Sequence, residues 1–322
     1  MNFMKHGRGV LAALLPLALA SPAMAEVAGA VQTRFLVNDI DKLDRDQMVG
    51  DNAINKTKAE AFGYFTHSDY PGWFGGFYAA HERNYGQGFE NIGPNDFREN
   101  FVGGENKIQE LYLGKAHYMD FGEVSAELMV GKESLRNGPK YRPKVAGRYE
   151  FANGLSLFGY AMVLYQTYHG PSLSVAADRE YLETEFQPGV GYKVNDQMGL
   201  FAYYRLRNRT QQRALYGDLK EKEQFVEIGL WKNVGDLQTA LRARAGKFSM
   251  WDTLSYRDDE RNSTIRQDKN YRLVGSLSAP LTSKLRALVD VGFLWEKYDI
   301  VPAGAERQHR APVLAVGLRY EL

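Results

Sequence analysis

Glu183 and Glu185 stand two residues apart, and so do Arg205, Arg207 and Arg209, with Asn195-Asp196 between the two runs. Residues two apart share one face of a β-strand. Folded as a hairpin, this segment sets carboxylates beside guanidiniums on one face. The opposite face is then apolar: Leu182, Thr184, Phe186, Val190, Tyr192 and Val194 on the first arm, and Met198, Leu200, Ala202, Tyr204 and Leu206 on the second. Opposite charges on adjacent strands attract, and rows of fixed charge beside water bias which solutes pass. The same alternation recurs at Glu227, Arg242, Arg244, Arg286 and Arg319, with Phe201, Tyr203, Phe225 and Trp231 interleaved as surfaces on which sugar rings could stack.

Catalysis finds less support. The histidines are His6, His67, His81, His117, His169 and His309, scattered and without metal-ligand spacing. No Gly-x-Ser-x-Gly nucleophile elbow occurs. No catalytic residue, metal site or cofactor is expected. The chain has no cysteine, so no disulfide framework.

The N-terminus reads as a secretory leader over residues 1–25. Lys5 and Arg8 precede the apolar run Val10–Ala20, and Ala23-Met24-Ala25 is a small-residue cleavage site. The run is too short for a spanning helix, and Pro16 interrupts it. The leader holds two of the 40 basic residues and none of the 39 acidic ones, which leaves 38 against 39 in residues 26–322. That balance does not favour a nucleic-acid partner.

Residues 26–322 read as one domain of about fourteen alternating strands. The expected ranges are 27–38, 57–68, 73–83, 105–117, 121–133, 140–151, 155–168, 180–194, 198–210, 221–233, 237–251, 263–279, 284–299 and 308–322. Short turns rich in Asn, Asp, Gly and Pro follow the even strands, and longer polar links follow the odd ones. That rhythm, with an even strand count, predicts an all-β, antiparallel, up-and-down transmembrane barrel. A soluble barrel must fill its interior with side chains, which about eight strands already strain. A soluble sandwich needs connections of mixed length. In lipid the apolar faces turn outward and the charged faces line water. The expected outward set includes Val124, Ala126, Leu128 and Val130, and Leu285, Ala287, Val289, Val291, Phe293 and Trp295; the inward set includes Glu123, Glu127, Lys140, Arg142, Lys144, Asp290 and Glu296. Tyr149, Phe151, Tyr192, Trp295 and Tyr320 fall near strand ends, where aromatic girdles sit. Leu155–Tyr168 fits least well, because Phe158, Tyr160, Met162 and Leu164 would face the lumen.

Two resemblances refine this. The closing segment Leu314–Leu322 alternates outward apolar residues up to the last one, and resembles the segment read by the barrel assembly machinery of Gram-negative outer membranes; such segments usually end in an aromatic residue, and this one ends in Leu322. Leu182-Glu183-Thr184-Glu185, Gly191-Tyr192-Lys193-Val194-Asn195, Tyr203-Tyr204-Arg205-Leu206-Arg207, Arg272-Leu273-Val274-Gly275 and Val316-Gly317-Leu318-Arg319-Tyr320 resemble the outer membrane porin G family, chiefly over Tyr181–Leu322. The resemblance implies a fourteen-stranded monomer with one pore per chain. Its pH-dependent closure through histidines on neighbouring strands is not carried over, since no His lies between Gly170 and Gln308.

The reading that follows is a passive diffusion channel for small hydrophilic solutes, oligosaccharides among them, in contact with outer-membrane lipid and lipopolysaccharide. The expected pore lining is Glu183, Glu185, Tyr203, Arg205, Arg207, Arg209, Glu227, Arg242, Arg244, Arg286 and Arg319. The competing readings are a non-conducting structural or adhesion barrel and a soluble periplasmic polysaccharide-binding β protein.

Overall fold

A computed structural model describes residues 27–37, 55–85, 105–134, 138–169, 178–212, 218–252, 265–300 and 305–322. The leader lies outside the described residues, as do nearly all of the long links 84–104 and 252–262. The strands are β1 (Val27–Val37), β2 (Asn55–His67), β3 (Trp73–Tyr85), β4 (Glu105–Met119), β5 (Gly122–Glu133), β6 (Pro139–Glu150), β7 (Leu155–His169), β8 (Asp178–Asn195), β9 (Met198–Gln211), β10 (Leu219–Val234), β11 (Leu237–Asp252), β12 (Ile265–Pro280), β13 (Leu285–Ile300) and β14 (Ala305–Glu321). Each strand pairs with its sequence neighbours, and β1 pairs with β14, so the sheet is a closed up-and-down barrel. Closure leaves no edge, which is what a hydrocarbon surround requires of a β-sheet.

The short turns hold by local chemistry. Gly72, Gly154 and Gly235 adopt positive φ in three of them, a conformation that glycine reaches without a Cβ clash. In the hairpin between β8 and β9 the turn lies one residue later than the sequence suggests, at Asp196-Gln197. A register shift between Lys193 and Asn195 moves it, and Asn195 Oδ1 accepts from the Gln197 amide at 2.9 Å. Asp196 receives a hydrogen bond from Lys193 at 2.6 Å, which holds its carboxyl below the usual range.

The outer wall is apolar. Leu111, Leu113, Val124, Leu128, Val145, Ile228, Leu241, Val291 and Phe293 are all exposed there, Leu111 to 63 %. Near the turns Tyr149 packs against Phe121 and Phe151, with ring centroids 4.9 and 4.7 Å apart. Toward the long links Tyr271 stacks on Trp295 at 5.2 Å. On β13 the outward residues run from Leu285 to Trp295. At ~3.4 Å per residue and a tilt of ~40° they span about 26 Å, close to the apolar height of outer-membrane barrels. Val291 lies near the middle of that band. Val291→Arg should therefore cost ~2–4 kcal/mol of unfolding free energy in liposomes. Ser125→Arg, facing the water side between Glu123 and Glu127, should cost little. Equal costs in denaturant titrations would contradict this assignment of faces.

On β7, whose register the alternation left open to a slip of one residue, Leu157 and Val163 lie outward and Phe158, Tyr160, Met162 and Leu164 inward. The wall itself absorbs these side chains. Leu164 packs with Met129 and Tyr181 beside Tyr112. The Tyr160 hydroxyl donates to Glu185 and Gln187, and its ring lies 5.0 Å beneath the Lys144 ammonium. A second inward apolar cluster, Val274, Leu294 and Val313, joins β12, β13 and β14.

Candidate functional site: the charged and aromatic inner wall

The arginines on β9 form a ladder across three strands. Register sets Glu183 opposite Arg209 and Glu185 opposite Arg207 on one side, and Glu221 and Glu223 opposite Arg209 and Arg207 on the other. Arg209 bonds Glu183 through Nε at 2.9 Å and Glu221 through Nη1 at 2.8 Å. Arg205 reaches diagonally to Glu185 at 2.5 Å. Arg207 turns away from Glu185 and pairs with Glu223. Glu221 and Glu223 were not expected from the hairpin alone, because it does not include β10. Three arginines thus meet four glutamates, and the ladder carries no surplus of positive charge. It is also embedded in the wall: Glu183 is 1 % exposed and Arg207 2 %.

An aromatic surface lies next to the ladder. The Arg205 and Arg244 guanidiniums sit 5.4 and 4.6 Å from the Phe225 ring centroid. Tyr203 meets Phe225 edge-on at 5.9 Å and stacks on Phe201 at 6.3 Å. Glu227 stands between Tyr203 and Arg244 in register. Glycine makes room for these rings. A Cβ on Gly199 would lie 2.7 Å from the Trp231 ring, and one on Gly229 would collide with Phe201. The rings therefore lie against the barrel wall. Gly229→Ala should lift Phe201 into the bore and lower single-channel conductance, and Phe201→Ala added to it should restore the current. An unchanged current in G229A would place this ring outside the narrow part of the path.

The remaining expected residues lie apart from the ladder. Arg242 approaches Asp290 at 3.9 Å and Ser276 at 3.4 Å. Asp290 also accepts from Arg34 at 2.5 Å, and Arg34 lies 3.7 Å from Glu60. Arg34 on β1 crosses Gly317 of β14 to reach β13, and a Cβ on Gly317 would press on the Arg34 stem at 2.9 Å. This clamp, which includes Arg34 and Glu60 unforeseen in the sequence, ties together the strands flanking the closing seam. Arg286 and Arg319 are register partners at the turn end. Arg286 bonds Ser278 Oγ at 2.8 Å and the Asp236 carbonyl at 2.7 Å, and Arg319 bonds Glu321 at 2.6 Å. The expected charged residues thus form three groups at different levels of the strands rather than one ring. A fourth group, Lys140 with Glu110 at 2.6 Å and Arg142 with Glu127 at 3.1 Å, stands on β4 to β6.

A closed barrel with apolar side chains outside and paired charges inside is a membrane-spanning channel of the porin class. Its outer wall can face only lipid, and its inner wall suits water. The chain belongs to the OMPG-porin 1 family, whose profile matches residues 12–322, and it is an outer-membrane porin. Among solved structures it is similar to OmpT of Vibrio cholerae, at 9% identity and a TM-score of 0.46 over 92% of this chain and 97% of that one. It is also similar to the channel DcaP of Acinetobacter baumannii, at 13% identity and a TM-score of 0.42 over 92% and 96% of the two chains. An anion-selective porin from Comamonas acidovorans gives 12% identity and a TM-score of 0.42 over 92% and 98%. No curated protein sequence matches the chain significantly.

Proposed function

We propose that this porin is a monomeric, non-enzymatic diffusion channel, one pore per chain, for small hydrophilic solutes including short oligosaccharides. The supporting observation is the inner wall, where paired Arg and Glu stand beside rings laid flat over glycines. Fourteen strands enclose an aqueous path without a partner subunit. The paired charges keep the wall polar and of low net field. Phe201, Tyr203, Phe225 and Trp231 offer stacking surfaces that a sugar ring can slide along. Residues 1–25 direct export and are removed, and Leu314–Leu322 is the segment read during barrel assembly.

Planar-bilayer conductance with a size series of sugars tests this reading. Single steps of one size, blocked progressively by longer sugars, are expected. Current that always steps in threes, with a stable cross-linked trimer, would refute the monomeric pore. A protein that inserts without conducting would favour the structural barrel.

A further inference from the structure

The outward face carries basic side chains at one rim. Lys269 on β12 and Lys297 on β13 are register partners. Lys247 on β11 is the one residue that opposes Asp268 and Lys269 of β12 in the bulge after the Gly246–Asn270 pair, and of these Lys269 shares the outward parity of Tyr271. All three share the outward parity of their strands, with Ala245, Tyr271 and Trp295 two residues below them. Arg310 on β14, opposite Trp295, faces outward above Pro312 and Leu314. Like charges set side by side on neighbouring strands repel. The same parity lower on each strand is apolar, so the charge is confined to the rim. The basic stretch is one-sided: on β8 the outward residue near the long-link end is Glu180, bonded by Tyr165.

Immediately beneath lies an apolar groove of about 700 Å³ on the outer wall, with Val226, Ile228, Leu273 and Phe293 in its lining and the Tyr271–Trp295 stack at its upper end. The long-link end is the cell-exterior end in barrels of this architecture. The band from Leu285 to Trp295 already spans about the apolar height of the membrane, so Lys297 stands at the head-group level of the outer leaflet.

We propose that this rim is a binding site for lipopolysaccharide, with the lipid A phosphates held by Lys247, Lys269, Lys297 and Arg310 and acyl chains lying in the groove below. The ligand must join anionic groups to hydrocarbon within a few ångströms, which lipid A does and a soluble anion does not. Bridging phosphates offset the lysine repulsion, and a branched acylated lipid fills a groove that lies between ridges of Ile, Leu and Phe. The proposal rests on the outer-membrane location and is independent of whether the pore conducts.

Lys297 and Arg310 also contact groups of the protein itself, so the test is built on Lys247 and Lys269. The mature protein in detergent is titrated with bisphosphorylated lipid A and followed by native mass spectrometry. Replacing both lysines, K247S/K269S, should weaken binding roughly thirtyfold while leaving heat-modifiability and conductance unchanged. The single variant K269Q, a milder change, should weaken it by a smaller factor. Fully dephosphorylated lipid A should bind poorly to the wild type. Equal binding by wild type and the variants would overturn the proposal, and so would equal binding of the dephosphorylated lipid. If inorganic phosphate at millimolar concentration displaced the lipid, the site would be one for soluble anions and the lipid assignment would fall. Loss of conductance with lipid binding intact would count against the channel reading alone.

Discussion

Deleting Leu314–Leu322 will abolish the heat-modifiable form of this protein. β14 is the only strand between β13 and β1, and eight residue pairs, from Ala30–Glu321 to Val37–Leu314, close the sheet along it. Without them the backbone donors and acceptors of two strands face hydrocarbon, where each unsatisfied group costs several kcal/mol. That sum exceeds the ~5–15 kcal/mol by which native proteins are stable. The clamp from Glu60 through Arg34 to Asp290 would have to span a gap one strand wide. The measurement is migration of unboiled and boiled samples after refolding into detergent. A shifted, protease-resistant band in the truncated chain would show that β1 can pair directly with β13, and would remove the argument from closure.

The second large effect lies in the ladder. Replacing Arg205, Arg207 and Arg209 by Ser removes the guanidinium partners of Glu183, Glu185, Glu221 and Glu223 and leaves Glu183 and Glu185 their tyrosine hydroxyls. Breaking a buried ion pair from one side costs about 3–5 kcal/mol, because the remaining charge stays desolvated. Glu183 and Glu185, at 1 % and 3 % exposure, should feel this most. The variant should unfold at lower denaturant than wild type. Where it assembles, its reversal potential should shift toward cations at low salt, and the shift should shrink at high salt. Adding E183Q, E185Q and E223Q should recover most of the stability and return the reversal potential toward wild type. An unchanged reversal potential would place the ladder outside the ion path. Unchanged stability would mean that the pairs carry no structural weight.

Most of the barrel was legible because β-alternation in lipid is enforced twice, by hydrocarbon outside and water inside. A slip of one residue would bury Arg205 in lipid and expose Leu206 to the bore, so parity read from the sequence had little freedom to be wrong. Strand ends moved by only a few residues, as at Asn55 in β2 and Ala305 in β14. The partners of each charge were far less legible. A hairpin shows two strands, whereas an interior strand has two neighbours, so Arg207 could turn to Glu223 unseen. Arg34 was missed for a related reason: its partner Asp290 is two strands away, beyond a glycine that leaves no side chain in between. Bulges such as that after Gly246 also escape pattern reading, since an extra residue in one strand leaves the alternation on either side looking regular.

Not all the charges of the wall see the same solvent. Arg148–Glu150 and Arg319–Glu321, at the turn end, are about half exposed, whereas the ladder is enclosed. Dissolved ions weaken exposed pairs and hardly reach enclosed ones. Salinity therefore acts on this porin at its periplasmic threshold and not on its calibre. A rise in ionic strength would leave the barrel the same shape while loosening the paired charges at its turn-end mouth.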